Sequence, residues 1–337
     1  MGKMMMDTAW IAKVWNEEHP APRREIECRH CHAINRVPVD KAVLYPHKAI
    51  CAQCKKLLFL ANDEPLTGIS SRSFENPLDS ETLGTVRAIP GASALMKLVH
   101  KRLNESKLLF HMKANAIECN DEQFPELVAI VKTILKRLDC QFVPQVYFSS
   151  MPFVNAFTSG GEEAVICFST ALLNQLDDRE LEFVTGHEFG HLMAEHVISR
   201  LILQVVLNGS FVALPGIARY LSMPLKLALL KWARCSELTA DRAGLLACRD
   251  VTVALNCMMK MASGYERGVT ERTQLSLAAF VAQAISLGRQ EGDHFDSMMS
   301  SLFAGQQSHP FIAWRVMELI DWVENGNYFD ILAGKYV

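Results

Sequence analysis

The chain has 337 residues, with 34 Lys and Arg against 37 Asp and Glu, so its formal net charge is −3. Half of the residues are hydrophobic and 21% are charged, a composition that supplies a sizeable core and excludes a disordered chain. Because binding to the phosphates of a nucleic acid requires a clear excess of basic residues, we expect no nucleic-acid partner. The mean hydropathy of +0.09 excludes a transporter built mostly of membrane-spanning helices.

The ten cysteines indicate the redox compartment. Four of them form two Cys-x-x-Cys pairs and the other six are scattered, whereas a secreted disulfide-stapled protein is short and dense in cysteine. The first residues, Met-Gly-Lys-Met-Met-Met-Asp, do not lead into an apolar run with a small-residue cleavage site. We therefore expect reduced thiols and a cytoplasmic protein.

Three segments precede the main domain. Residues 1–24 hold an amphipathic helical stretch around two tryptophans, which His-Pro-Ala-Pro ends. Residues 25–60 carry the Cys-x-x-Cys pairs between turn-forming and short apolar pieces. Residues 61–94 are rich in Pro, Ser and Asn, and we predict a linker or a segment that covers the cleft of the domain in residues 95–337.

The two Cys-x-x-Cys pairs predict a structural zinc site. Cys28 and Cys31 are followed, after 19 residues, by Cys51 and Cys54. Pairs at this separation are typical of a zinc ribbon, in which four thiolates fill the coordination shell. A redox dithiol is the alternative, but no thioredoxin-like βαβ pattern surrounds these cysteines. The ribbon is locally basic, and we favour docking of a protein partner or substrate over nucleic-acid binding.

Helical patterns dominate the rest of the chain. Residues 124–138 place apolar side chains at steps of three and four, which predicts an amphipathic helix. Residues 144–148 and 164–168 are short runs of Val, Ile, Tyr and Phe, which predict strands joined by a hairpin or loop. After residue 178 the remainder reads as helical. The predicted fold class is therefore α+β and mostly helical.

One segment carries the pattern His-Glu-x-x-His. Residues four apart lie on one face of a helix, so His187 and His191 can bind one zinc ion through their ring nitrogens. Glu188 is then placed to take a proton from a zinc-bound water as general base. Gly190 costs a helix about 1 kcal/mol relative to Ala, which indicates that another element packs closely against it. The alternative is a pair of structural histidines that fall at this spacing.

A catalytic zinc needs a third protein ligand. Metzincins carry a histidine six residues after the second His, and Val197 at that position excludes this class. His196 would lie about 140° round the helix from His191, on the surface or in a second layer. The better candidates are Glu237 and Asp241, four residues apart on a predicted helix. Glu237 can complete the ligand set, while Asp241 can hold a ligand or a neighbouring arginine in place.

Four patterns, in order along the chain, resemble those of a known family. They are Asn155-Ala156-Phe157, the His-Glu-x-x-His segment, Glu237-x-x-x-Asp241, and His309-Pro310 with Arg315 six residues after the histidine. Over residues 122–320 the sequence resembles the M48 family of zinc metallopeptidases. The resemblance implies a gluzincin-type domain with a short mixed sheet beside the metal helix, and a zinc-dependent endopeptidase.

The resemblance also implies roles for single residues. It implies catalytic zinc ligation by His187, His191 and Glu237. His309 should lie near the metal and donate to the oxyanion of the tetrahedral intermediate. Asn155 and Ala156 should lie on the strand that flanks the cleft, where the substrate backbone adds as an extra strand. Arg315 should anchor the site through a carboxylate, first of all Asp241.

Several alternatives stay open at this point. Residues 201–230 are apolar but interrupted by Gln, Asn, Gly and Pro, and we favour a broken hairpin that packs on the domain or touches a membrane surface over a spanning pair. Cys235 could cap the zinc as a thiolate, although a small buried cysteine is the commoner case.

The sequence as a whole predicts an endopeptidase that acts on protein or peptide substrates with one catalytic and one structural zinc. One rival is a non-catalytic zinc-ribbon adaptor or regulatory protein whose second metal site is only structural. The other is a latent protease in which residues 62–100 fill the cleft until the enzyme is activated.

Overall fold

The computed structural model describes residues 8–95, 110, 113–150, 156–159, 164–197, 200, 203, 223–264, 275–290 and 312–337. Within these residues the fold is mostly helical, with a short four-stranded mixed sheet and a separate two-stranded sheet, which confirms the predicted α+β class. Most of the apolar segment 201–230 lies outside the described residues. In the part of the chain that is described, no helix has both the length and the apolar character needed to span a bilayer.

The described helices and strands have the following bounds. The helices are α1 (Ile11–Val14), α2 (Val39–Leu44), α3 (Pro77–Ala88), α4 (Pro125–Arg137), α5 (Thr170–Gln175), α6 (Asp178–Met193), α7 (Met223–Cys248), α8 (Val251–Ser263), α9 (Leu277–Gln290), α10 (Ile312–Asn325) and α11 (Tyr328–Leu332). The strands are β1 (Arg23–Glu27), β2 (Ile34–Pro38), β3 (Ile117–Glu118), β4 (Gln145–Ser149), β5 (Ala156–Ser159) and β6 (Val165–Ser169).

The N-terminal part packs onto the helical domain. Strands β1 and β2 form an antiparallel pair, and the first Cys-x-x-Cys pair lies in the turn between them. In the segment before β1, Trp10 is fully buried and its Nε1 donates to Thr252 Oγ1 on α8 at 3.2 Å. Trp15 Nε1 likewise donates to Glu324 Oε1 on α10 at 3.1 Å. The two tryptophans therefore bind the first segment to α8 and α10 of the helical domain.

The mixed sheet has the strand order β3-β4-β6-β5. The two runs predicted as strands are β4 and β6, which pair in parallel, so a hairpin between them is excluded, and the connection contains a further strand rather than a plain loop. Strand β5 lies between them in sequence and pairs antiparallel with β6. It is one of the two edge strands of the described sheet and lies next to α6.

Residues 61–95 are closely packed and contain helix α3. Leu66, Ile69 and Phe74 are buried in the main core ahead of this helix. Asn76 caps α3 by accepting from Leu78 N at 2.9 Å, and Pro77 occupies the first helical position. An asparagine cap followed by proline is a known start signal for a helix, so the sequence did carry a sign of α3. Helix α3 packs along α7.

Candidate metal centres

Helix α6 carries the His-Glu-x-x-His pattern and begins at a capping box. Asp177 Oδ1 accepts from Glu180 N at 3.0 Å, and Glu180 Oε2 accepts from Asp177 N at 2.9 Å. Lys260 Nζ on α8 lies 2.6 Å from the same Glu180 oxygen. These contacts satisfy backbone groups at the helix start and fix the position from which the two histidines project.

Helices α6 and α7 approach each other closely along a line of glycines. A Cβ atom added to Gly190 would lie 2.7 Å from Ala243 Cβ, and one added to Gly186 would lie 2.1 Å from Ala247 Cβ. On the facing helix, a Cβ on Gly244 would lie 2.8 Å from the backbone oxygen of an α6 residue. The prediction that another element packs closely against Gly190 is confirmed, and that element is α7.

This close packing brings Glu237 of α7 to the paired histidines of α6. The Nε2 atoms of His187 and His191 are 3.2 Å apart, and the Glu237 carboxylate oxygens lie 3.6 Å and 3.4 Å from them, respectively. Ligand atoms placed tetrahedrally about 2.0–2.1 Å from zinc would be separated by roughly 3.3–3.4 Å. The three buried side chains therefore fit a zinc ion with three protein ligands.

Asp241 and Arg315 form a buried ion pair that contacts the His187 ring and the Glu237 carboxylate. Asp241 Oδ1 lies 3.0 Å from His187 Nδ1, so this ring nitrogen is occupied and Nε2 is left for the metal. Arg315 forms a two-point contact with Asp241, in which Nε donates to Oδ2 at 2.7 Å. Its Nη1 also lies 3.3 Å from Glu237 Oε2. Although burial opposes its charge, the Asp241 carboxylate raises the pKa of Arg315 above its usual value.

His191 has a different partner, which is His196. The Nδ1 atoms of the two rings are 3.0 Å apart, and His196 is only 3% exposed. The helical extrapolation placed His196 about 140° away, but α6 ends at Met193 and Glu195 has a left-handed φ of 56°, so the chain turns back. Burial holds the pKa of His191 well below its usual value, with Arg200 acting in the same direction. A lowered pKa favours the neutral ring, which is the form that binds zinc.

Glu188 lines a cleft of about 190 Å³ beside the metal site. It is 4% exposed, and its Oε2 atom makes no hydrogen bond within the described residues. The cleft combines a polar end with an apolar wall formed by Leu172, Phe183, Val184, Met261 and Ile312. A buried carboxylate oxygen without a partner, at the edge of a cleft, fits a place where solvent or substrate binds.

The structure describes only some of the other residues that the sequence predicts for the site. Ala156, the first residue of β5, lines the cleft, whereas Asn155 and His309 lie outside the described residues. Cys235 is buried on α7 away from the cleft lining, and burial raises the pKa of its thiol to about 11. Arg200, which the sequence did not single out, lines the cleft with Nη2 3.3 Å from Glu237 Oε1.

The four ribbon cysteines form a second cluster. Cys28 Sγ lies 3.6 Å from Cys54 Sγ, and Cys31 Sγ lies 3.6 Å from Cys51 Sγ. All four sulfurs lie within 4.8 Å of one another. Thiolates placed tetrahedrally about 2.3 Å from zinc would be separated by roughly 3.8 Å. The cluster therefore fits a closed tetrahedral zinc site.

Two backbone turns and a side-chain hydrogen bond position the ribbon cysteines. His32 and Lys55, which directly follow the second cysteine of each pair, have left-handed φ values of 59° and 62°. The two turns are thus equivalent. Cys51 Sγ accepts from Asn35 Nδ2 at 3.6 Å. Hydrogen bonding from the Cys54 backbone lowers the pKa of Cys51, which favours the thiolate that a metal binds.

Comparisons with known proteins agree with this geometry. The family model described as peptidase family M48 matches residues 121–323, more than half of the chain. The chain is similar to the plastoglobule-localized metallopeptidase 48, chloroplastic, of Arabidopsis thaliana, with 27% identity over 84% of this chain and 79% of the relative. It is also similar to a protease HtpX homolog of Ralstonia pickettii, with 24% identity over 64% of this chain and 79% of the relative. A protease HtpX homolog of Pseudarthrobacter chlorophenolicus shows 28% identity over 46% of this chain and 59% of the relative. No solved structure matches the chain.

Proposed function

The chain belongs to peptidase family M48 and is a metalloprotease, and from this premise we propose that it is a zinc-dependent endopeptidase whose catalytic metal binds to His187, His191 and Glu237. The observation that carries the proposal is the coincidence of two features. Three buried ligand atoms converge at spacings that suit zinc, and the unpartnered Oε2 of Glu188 lies in the adjoining cleft. A purely structural metal site would have no need of such a carboxylate.

Glu188 is the general base of the proposed reaction. A zinc ion held by the three ligands would lower the pKa of a bound water to about 7 and polarise the scissile carbonyl. Glu188 takes a proton from the attacking water and passes it to the leaving amine. Its burial in the cleft keeps bulk water from competing for that proton. His309 is proposed to donate a hydrogen bond to the oxyanion, an interaction typically worth about 2.7–4 kcal/mol.

Substrate is proposed to bind along the edge strand β5. This strand pairs with β6 on one side and begins at Ala156, which lines the cleft. An extended peptide that adds to such an edge makes main-chain hydrogen bonds of the kind that peptide-binding proteins use. Asn155, directly before β5 in sequence, is proposed to belong to the same binding strand.

The apolar wall of the cleft supports a preference for an apolar substrate side chain beside the scissile bond. Met261 and Ile312 are only partly buried and present apolar surface at this wall, whereas Leu172 and Phe183 are buried in the core. A side chain of matching size would displace water from this surface and gain about 25 cal/mol for each Å² that it buries. The proposed substrates are therefore proteins or peptides with an aliphatic or aromatic residue at this subsite.

The ribbon is proposed to hold the second zinc through Cys28, Cys31, Cys51 and Cys54, and to contact a protein partner or substrate. Support for the contact comes from two apolar side chains on its surface, Ile34 at 59% and Ile50 at 54% exposure. Ile50→Glu is expected to leave zinc content and cleavage of short peptides unchanged while slowing cleavage of a protein substrate. Equal rates on the protein substrate would remove the docking role.

We further propose the division into a helical segment (1–24), a ribbon (25–60), a segment that packs on the peptidase domain (61–94) and that domain itself (95–337). Of the described residues that line the cleft, none belongs to residues 62–95. This arrangement favours an enzyme that is active without removal of the segment over a latent one. Activity that appears only after truncation or addition of a partner would support latency instead.

The test is peptide-library cleavage by the wild type and by Glu188→Gln, with zinc counted in both proteins. We expect the variant to keep its zinc and to lose activity by a factor of about 10²–10⁴, since only the proton acceptor is removed. The matched control is Asp178→Asn, which removes an exposed carboxylate from the same helix. Turnover that persists in the zinc-replete Glu188→Gln variant would eliminate the mechanism, and two zincs with no cleavage by wild type would favour the adaptor.

A further inference from the structure

We propose that His196 and Asp79 are positioning residues that hold His191 in the tautomer able to bind the metal. The inference rests on the proposed catalytic zinc site, because His191 is one of its three ligands. It assigns a role in that site to helix α3, which precedes the residues that the family model matches.

Three side chains form a continuous buried chain of hydrogen bonds. His191 Nδ1 lies 3.0 Å from His196 Nδ1, and His196 Nε2 lies 2.9 Å from Asp79 Oδ2. All three side chains are at most 3% exposed, so water does not compete for these atoms. This series of hydrogen bonds runs from His191 on α6, through His196 in the turn after that helix, to Asp79 on α3.

The carboxylate determines where each proton lies. Asp79 is an acceptor, so His196 must carry its proton on Nε2 and donate it. The Nδ1 atom of a neutral His196 is then an acceptor, and His191 must donate from its own Nδ1. This leaves the Nε2 lone pair of His191 directed towards His187 and Glu237, where the ion would bind. In the opposite tautomer a proton on His191 Nε2 would occupy the metal position.

The Asp79 oxygen that contacts His196 also accepts from a second side chain. Thr239 Oγ1 on α7 donates to Asp79 Oδ2 at 2.6 Å. The same hydroxyl oxygen accepts from Asn76 N at 3.1 Å, which ties the start of α3 to α7. Thr239 is two residues after Glu237, so one short stretch of α7 supplies both a metal ligand and the anchor for the carboxylate. Movement of α3 would therefore be transmitted to His191.

The arrangement parallels the support of the other histidine ligand. His187 Nδ1 contacts Asp241 directly at 3.0 Å. His191 reaches its carboxylate through an intervening imidazole, which spans the larger gap between α6 and α3. Partners of this kind orient the ligand ring and strengthen metal binding, and their loss typically lowers metal affinity or activity by about 10–100-fold.

The decisive experiment compares two substitutions of His196 in the full chain. Glutamine can reproduce the pattern of the neutral ring, since its amide oxygen accepts from His191 and its NH₂ group donates to Asp79. Leucine fills similar space but can do neither. We expect His196→Leu to weaken catalytic zinc binding by about 10–100-fold, and His196→Gln to restore most of the loss. The absorption spectrum of the cobalt(II)-substituted protein first distinguishes the thiolate site from the histidine site. Zinc affinity at the histidine site is then measured by competition with a chelator.

A second pair of variants tests the carboxylate. Asp79→Ala is expected to weaken zinc binding at the same site, whereas Glu81→Ala, which removes an exposed carboxylate from the same helix, should leave it unchanged. In the zinc-loaded wild type, ¹⁵N–¹H correlation spectra of the imidazoles should show the proton on Nδ1 of His191 and on Nε2 of His196. Asp79→Ala should abolish the preference at His196.

The possible outcomes distinguish a positioning role from a general loss of stability and from a missing catalytic metal. A wild-type protein that binds zinc only at the ribbon would remove the proposed function, and this inference with it. A wild type with two zincs, combined with equal zinc affinity in His196→Leu and His196→Gln, would overturn the positioning role alone. Thermal unfolding of the metal-free variants shows whether a loss of affinity merely reflects a loss of stability, which would also overturn it.

Discussion

Gly190→Ala tests whether the close approach of α6 and α7 creates the proposed metal site. The added Cβ would lie 2.7 Å from Ala243 Cβ and 3.0 Å from Ala240 Cα. Carbon atoms in favourable contact are about 3.5–4.0 Å apart, so the helices must separate by roughly 1 Å. Neither neighbouring atom can rotate away, because one belongs to the backbone and the other is attached directly to it.

The expected magnitude follows from two opposing effects. Replacing glycine within a helix gains about 1 kcal/mol, whereas overpacking a rigid contact costs about 1–3 kcal/mol, here at the upper end. We expect a net loss of about 2 kcal/mol in the free energy of unfolding. A shift of roughly 1 Å between Glu237 and the histidines also exceeds the tolerance of about 0.2 Å for metal–ligand distances. Zinc affinity should therefore fall at least about tenfold.

The assay is urea unfolding together with chelator competition for zinc. Gly84→Ala on α3 is the matched control, because nothing lies within 4 Å of its added Cβ, and it should gain up to about 1 kcal/mol. Adding Ala243→Gly to Gly190→Ala should recover part of the loss, since it removes the nearer of the two contacts. If Gly190→Ala were as stable as Gly84→Ala and kept its zinc affinity, the packing argument would be refuted.

Three further substitutions test other parts of the protein. Arg315→Met should lower the free energy of unfolding by about 3–5 kcal/mol, since it leaves Asp241 buried without its arginine and removes one of the two arginines beside Glu237; a urea titration that shows under 1 kcal/mol would contradict this. Met261→Ala should shift cleavage towards larger apolar side chains by at least about tenfold in kcat/KM across a peptide series, and an unchanged ranking would exclude Met261 from the subsite. Cys51→Ser should remove the ribbon zinc while the histidine site keeps its own; elemental analysis that still finds two ions would count against a four-thiolate site.

The amphipathic pattern of residues 124–138 predicted α4 closely, since its bounds in the structure are Pro125–Arg137. The runs that became β4 and β6 were also recognised, but their parallel pairing depends on which strand lies beside which after the chain has crossed over. Helix α3 was missed because the Pro, Ser and Asn around it indicated a linker. Its asparagine cap was visible, yet nothing local indicated that this helix would pack on α7.

Local spacing alone placed His187 and His191 on one face of a helix, and it grouped the four ribbon cysteines, because turns and helices fix the distances between near neighbours in sequence. The meeting of Asp79 with Thr239, 160 residues further on, has no such local cause. It depends on how closely α6, α7 and α3 pack, which is decided by side chains along the whole of each helix. Residue spacing therefore supplied the two histidines and four cysteines of the candidate metal sites, while tertiary packing decided which distant side chains hold the histidines in position.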